Sequence, residues 1–109
     1  MIKNVTKLVL GSILLIGCNG SKSDNDWIKG GTLHKSLVKE WKVSTEENKL
    51  ATCADFVSNI KKYETMEEMK NDANSMKDCI NEAIKAPQTD EMKTSDIAVS
   101  CAVLLKMTQ

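Results

Sequence analysis

The sequence predicts an all-α fold, a small bundle of about four helices stapled by one disulfide. Three observations lead there. Apolar residues recur at three- and four-residue steps along most of 33–105, and no stretch alternates apolar and polar in the manner of a half-buried strand. Two Ser/Thr-x-x-Glu boxes, Ser44 with Glu47 and Thr65 with Glu68, mark helix starts. Aromatics make up only 4% of the chain, so its core is built from Leu, Ile, Val, Met and Ala, a palette that suits helices better than sheets. A chain of 109 residues has room for one domain.

The elements follow in order. Thr32, after Gly30 and Gly31, is placed to cap a first helix whose stripe is Leu33, Leu37 and Trp41 with Val38 beside it, ending near Val43. Ser44 opens a second helix with Leu50, Cys53, Ala54, Val57 and Ile60 on its apolar face and Phe56 at the edge. Thr65 opens a third, with Met66, Met69, Ala73, Met76, Ile80 and Ala83 at alternating steps of three and four, Cys79 and Ile84 beside that line, and Pro87 as the stop. Thr94 or Ser95 caps a fourth, with Ile97, Cys101, Leu104 and Leu105 on one face. Short connectors make neighbours antiparallel.

Ahead of the bundle lies a different kind of sequence. Residues 1–7 carry Lys3 and Lys7 and no acid, and residues 8–16 (LVLGSILLI) are apolar or small. That is the form of a secretory signal peptide, too short for a membrane span, which takes roughly 20 apolar residues. Residues 19–31 are polar, rich in Gly, Ser and Asp and without period, and read as a tether. Trp27 and Ile28 stand out there and are expected to dock on the domain. The resulting division is 1–17 leader, 18–31 tether and 32–109 helical domain.

Leu15-Ile16-Gly17-Cys18 resembles a bacterial lipobox. The resemblance covers only the leader, but all four positions fit. It implies that the Cys18 thiol receives a diacylglycerol, that the leader is cut before it, and that the new amino group is acylated, giving two or three chains for stable anchoring where one holds only marginally. Asn19, where Asp would signal inner-membrane retention in that family, points to the outer membrane facing the periplasm.

Lipidation removes Cys18 from the thiol count and leaves Cys53, Cys79 and Cys101 in an oxidising compartment, enough for one disulfide and one spare thiol. With helices three and four side by side, Cys79 lies eight residues before Pro87 and Cys101 seven after Thr94, at the same height at about 1.5 Å per residue. Cys79–Cys101 is therefore the expected bridge, with Cys53–Cys101 as the alternative. A zinc site from the three cysteines and His34 lacks the close ligand pairs such sites use, and no metal or cofactor is expected.

The chemistry of the remaining residues is sparse. All 15 basic residues are lysine, and loss of residues 1–17 leaves 13 of them against 15 acids, a net of −2. Nucleic acid binding, which needs a basic face, is not expected. The acidic pairs Glu46-Glu47 and Glu67-Glu68 sit in first helical turns, where the helix dipole accounts for them without acid–base catalysis. There is no Gly-rich phosphate loop and no CxxCH haem attachment, and the methionine stripe reads as core filler. No catalytic site is expected.

TLHKSLVKEW (32–41) with NKLATCADFV (48–57) resembles a group of small exported bacterial proteins of unknown function, at Thr32, Leu33, His34, Lys35, Glu40, Trp41, Asn48, Leu50, Ala51, Thr52, Asp55 and Phe56. That group's two later cysteines match Cys79 and Cys101, and the resemblance implies no activity. TCADF (52–56) with Cys101 is also similar to the periplasmic acid-stress chaperones, small helical proteins with one disulfide. The leading expectation is a lipid-anchored cell-envelope accessory or interaction protein without catalytic activity, with an acid-stress-type chaperone as the alternative. Its partners would be the membrane, through the lipid, and an envelope protein. His34, Lys35, Glu40, Asn48, Thr52 and Asp55 are the polar candidates for the interaction surface, with helix capping and solvation as their simpler role.

Overall fold

The computed structural model describes residues 26–107. The expected leader (1–17), Cys18 as the expected lipidation residue, and the first part of the expected tether lie outside the described residues. Four α-helices make up the described chain: α1 (Val38–Lys42), α2 (Glu46–Ile60), α3 (Met66–Ala83) and α4 (Thr94–Leu104). Two 3-10 turns, Asp26–Ile28 and Pro87–Thr89, precede α1 and α4.

The expected first helix is shortened to one and a half turns. Leu37 is extended, at φ −81° and ψ 160°, and forms an isolated antiparallel bridge with Lys93. Distant partners explain this. The N–H of Val38 donates to the Met92 carbonyl (2.8 Å), that of Lys39 to Asp90 (3.1 Å) and that of Thr94 to Ser36 (2.9 Å). The amides of Val38 and Lys39 therefore bond a distant loop instead of the preceding helical turn. Thr32 is accordingly not a helix cap. Lys39–Glu91 (3.0 Å) and Lys42–Asp90 (2.5 Å) add ion pairs along the same seam.

Helix α2 is capped by Thr45, one residue after the expected Ser44, with its hydroxyl accepting from the Asn48 N–H at 3.1 Å. Thr65 caps α3 as the sequence indicates, accepting from Glu68 at 3.1 Å. Helix α3 stops at Ala83, before Pro87, and the Thr89 hydroxyl closes the turn by donating to the Ala86 carbonyl at 2.7 Å. Lys93 occupies the cap position of α4, because Thr94 is turned inward. The Ser36 hydroxyl gives its proton to the Leu33 carbonyl (2.9 Å), so Thr94 is the donor in the 3.0 Å contact between the two hydroxyls.

The core lies between α2, α3 and α4, closed at one end by α1. Trp41, Val57, Met76, Ile80, Cys53 and Cys101 are fully buried. Trp41 donates its indole N–H to Asn81 Oδ1 at 2.9 Å, so the largest core side chain is also satisfied. Cys79 and Cys101 form a disulfide between α3 and α4, with Cα atoms 5.9 Å apart. The 53–101 alternative is therefore not formed, and Cys53 is a free buried thiol.

Two expectations for the apolar faces are corrected. Ala83 is exposed on α3, and on α4 Leu104 and Leu105 turn outward, Leu104 being 74% exposed. The α3–α4 seam is filled instead by Ile97, Ala98, Cys101 and Ala102, small enough for the close approach that the disulfide holds. Trp27 and Ile28 pack against the core as expected, with Lys70 Nζ 5.6 Å from the Trp27 ring centroid. The last residues of the expected tether thus belong to the folded body.

Burial pushes the Cys53 thiol up to about 12 from an ordinary 9.0. The native chain therefore keeps a proton that the unfolded chain releases above pH 9. Stability should fall between pH 9 and 12, with a slope of up to about 1.4 kcal/mol per pH unit from this group. Tyr63, raised by burial and by its bond to Asp72, adds to the loss in the same direction. Denaturant melts across this range should show a weaker pH dependence in Cys53→Ala. An equal slope in both proteins would remove Cys53 from this account.

Candidate functional site

Four of the six polar residues singled out in the sequence, His34, Asn48, Thr52 and Asp55, come together, and the structure shows what they bind. Asn48, Thr52 and Asp55 lie on one face of α2, at the four- and three-residue steps of successive turns. Segment 31–34 runs along that face. The Asn48 side chain accepts from the Thr32 N–H (2.8 Å) and donates to the Thr32 hydroxyl (2.8 Å). Thr52 Oγ1 accepts from the Leu33 N–H (3.2 Å) and donates to Asn48 Oδ1 (3.2 Å). His34 Nε2 meets Asp55 Oδ2 at 2.5 Å, and its ring stands edge-on to Phe56 at 5.9 Å. Three consecutive residues are thus held by three successive positions of one helix face.

Gly31 makes this closeness achievable. A Cβ there would lie 2.7 Å from the Thr52 backbone nitrogen and 2.9 Å from the Ala51 carbonyl carbon. Those are helix backbone atoms that cannot swing aside. Gly31→Ala should cost about 1–3 kcal/mol through displacement of the segment, measurable by chemical denaturation. An unchanged midpoint would mean that the segment does not lie this close to α2.

The other two candidates are not part of this ladder. Glu40 accepts from the Leu37 N–H at 2.7 Å, a reach back over the start of α1. Lys35 is exposed and makes no hydrogen bond or ion pair among the described residues. Of the six candidates, Thr52 is fully buried, Asn48 is half-buried with its polar atoms engaged, and the His34–Asp55 pair is open to solvent, at 40% and 45% side-chain exposure. With Asp55 ionised, a neutral imidazole carries its proton on Nε2, which fixes the ring. The hydroxyls nearby in sequence are engaged elsewhere: Ser36 with Leu33 and Thr94, Thr52 with Asn48, Ser58 with the Asp55 carbonyl. The pair orients an imidazole and fastens a segment. No hydroxyl among the described residues is hydrogen-bonded to that imidazole.

Two features were not picked out from the sequence. An open groove of about 440 Å³ lies at the α2–α3 turn beside Lys61, Tyr63, Glu68 and Asp72. Two of its charges pair, with Lys61 3.2 Å from Asp72, and the Tyr63 hydroxyl donates to the same carboxylate at 2.7 Å. Glu46, at the start of α2, bridges Lys49 (3.2 Å) and Lys77 of α3 (3.1 Å), and those two lysines hold its carboxyl below the usual range. Glu46–Lys49 is a local pair at helical spacing, whereas Glu46–Lys77 and the Lys61 and Tyr63 contacts with Asp72 each join residues on either side of the α2–α3 turn or beyond it, which helix periodicity does not reveal.

Among the described residues, no group of three or more His, Cys, Asp and Glu side chains is arranged to hold a metal ion. Nor is any described helix long and apolar enough to cross a membrane. Comparison with known families, curated proteins and solved structures gives no significant match.

Proposed function

We propose that this chain is a lipid-anchored accessory protein of the cell envelope, whose folded part acts by binding and carries out no chemistry. The observation that carries the reading is the run Leu15-Ile16-Gly17-Cys18 at the border between an apolar leader and a polar chain. Acyl chains on Cys18 supply the membrane affinity. Between Cys18 and the start of the described fold at Asp26 stand seven residues, which span at most about 25 Å when extended. The bundle is then held within one domain's width of the leaflet, facing the periplasm, and meets partners that lie on or close to the same membrane.

The disposition of the polar candidates supports a binding role confined to what they leave free. Asn48 and Thr52 are committed to segment 32–33. Lys35 and the exposed edge of the His34–Asp55 pair remain on the surface for a partner.

Metabolic labelling with a palmitate analogue tests the anchor. The wild-type chain should carry label and fractionate with membranes, and Cys18→Ser should do neither. An unlabelled wild-type chain overturns the reading.

A further inference from the structure

We infer that residues 27–30 form a latch that opens at Gly30 while the rest of the bundle stays folded, and that this latch sets the length of the leash between Cys18 and the bundle. The leash rests on the lipid anchor proposed above; the latch does not. Two ways of holding the chain meet at Gly30 and Gly31. From Gly31 onward the chain is tied down. The Thr32 and Leu33 amides are bonded to Asn48 and Thr52, Leu33 is buried, and Gly31 lies too close to the α2 backbone for a Cβ. Before Gly31 such ties stop. Among the described residues, no hydrogen bond joins residues 27–30 to the helices. The Lys29 N–H donates to the Asp26 carbonyl (3.1 Å) and its ammonium pairs with the Asp26 carboxylate (3.4 Å), both within the turn. Residues 27–30 are held on the body by the packing of Trp27 and Ile28, each partly buried, with Lys70 of α3 over the Trp27 ring. Trp41 gives its indole N–H to Asn81, whereas that of Trp27 has no acceptor among the described residues. A piece with little buried area and no hydrogen bond to its neighbours is of the kind that opens locally.

Gly30 supplies the hinge. Its φ of 87° lies in the left-handed region, and a Cβ there would meet nothing within 4 Å. The glycine is therefore required by the backbone of the closed latch and not by any neighbour. Closing and opening change the reach of the bundle. With the latch closed the leash is residues 19–25, which span at most about 25 Å. With it open the leash is residues 19–30, twelve residues that span at most about 43 Å. The closed form keeps the bundle beside the leaflet, and the open form carries it to partners farther out.

Hydrogen exchange of the full chain in detergent provides the test. The Lys29 amide should exchange about tenfold more slowly than an open amide, and faster than the Leu33 amide. Gly30→Ala strains only the closed latch and should speed Lys29 about tenfold. Trp27→Ala should do the same by removing the packing. In both variants the Leu33 amide should keep its rate. Faster exchange at Leu33 in step with Lys29 would mean that the segment leaves as one piece through residue 34, and an unchanged Lys29 rate would mean that nothing hinges at Gly30; either overturns the inference. On vesicles with acceptor-labelled headgroups, a donor on Ser75→Cys should lose energy transfer when Gly30→Ala is added. Unchanged transfer in a palmitate-labelled chain overturns the lengthened leash. An unlabelled chain removes the anchor instead, and the exchange rates then still decide the hinge.

Discussion

Trp41→Ala should unfold most of the protein. The side chain is fully buried at the junction of α1 with α2 and α3, and its removal is of the kind that costs about 3–5 kcal/mol. A domain of this size has a total stability of about 4–12 kcal/mol, so the loss is a large share of the whole. The indole N–H adds to the effect, because Asn81 loses its donor. Trp41→Phe separates the two contributions. It retains most of the buried ring and gives up the hydrogen bond, and should cost about 1–2 kcal/mol. Urea melts of the three proteins provide the ranking. A Trp41→Ala variant with a wild-type midpoint would mean that α1 is not part of the cooperative core.

Reduction of the Cys79–Cys101 bridge should be the next largest perturbation. The bridge spans 22 residues of sequence, and closing a loop of that length restricts the unfolded chain by about 3 kcal/mol. Cys79→Ala should cost the same in oxidising buffer and show no further loss with reductant. Cys53→Ala should keep the full reductant effect, since Cys53 is the free thiol. If the effect disappears in Cys53→Ala and persists in Cys79→Ala, the pairing is wrong. Peptide mapping without reduction gives the same answer directly.

The parts of this fold that were legible in the sequence are those set by local forces. The period of α3 from Met66 to Ile80 and its Thr65 cap are set by near neighbours in sequence and appear as read, with Ala83 alone turned outward at the end. The disulfide could be chosen because two cysteines at matched heights on adjacent antiparallel helices need only helix geometry to be paired. Segment 32–38 carries a helix-like spacing of Leu33 and Leu37, yet Ser36 and Val38 bond the backbone of Thr94 and Met92, more than fifty residues away. Local pattern cannot register that competition. On α4 the stripe was drawn through the largest apolar residues, while the seam needed small ones. Ala98 and Ala102 allow the close approach of two bridged helices, and Leu104 would prevent it.

The candidate site was legible as a set of residues and illegible as an arrangement. His34, Asn48, Thr52 and Asp55 stood out because a resemblance picked them, and their spacing on α2 placed three of them on one face. Their partners, sixteen to twenty-one residues away, are what give them a role. With those partners known, Thr32, His34, Asn48, Thr52 and Asp55 serve to hold the start of the domain on α2. The candidates left open to solvent and outside that ladder are a smaller set, Lys35 and the open side of the His34–Asp55 pair.

Native-state hydrogen exchange at the Leu33 amide tests that central claim most directly. This N–H has a side-chain oxygen, Thr52 Oγ1, as its acceptor and lies outside every helix. In the wild-type chain it should exchange on the order of a hundredfold more slowly than an open amide. In Thr52→Val it should exchange freely while the amides in the middle of α3 keep their protection. An unprotected Leu33 amide in the wild-type chain, or one equally protected in Thr52→Val, would contradict the assignment of these residues to holding the fold together.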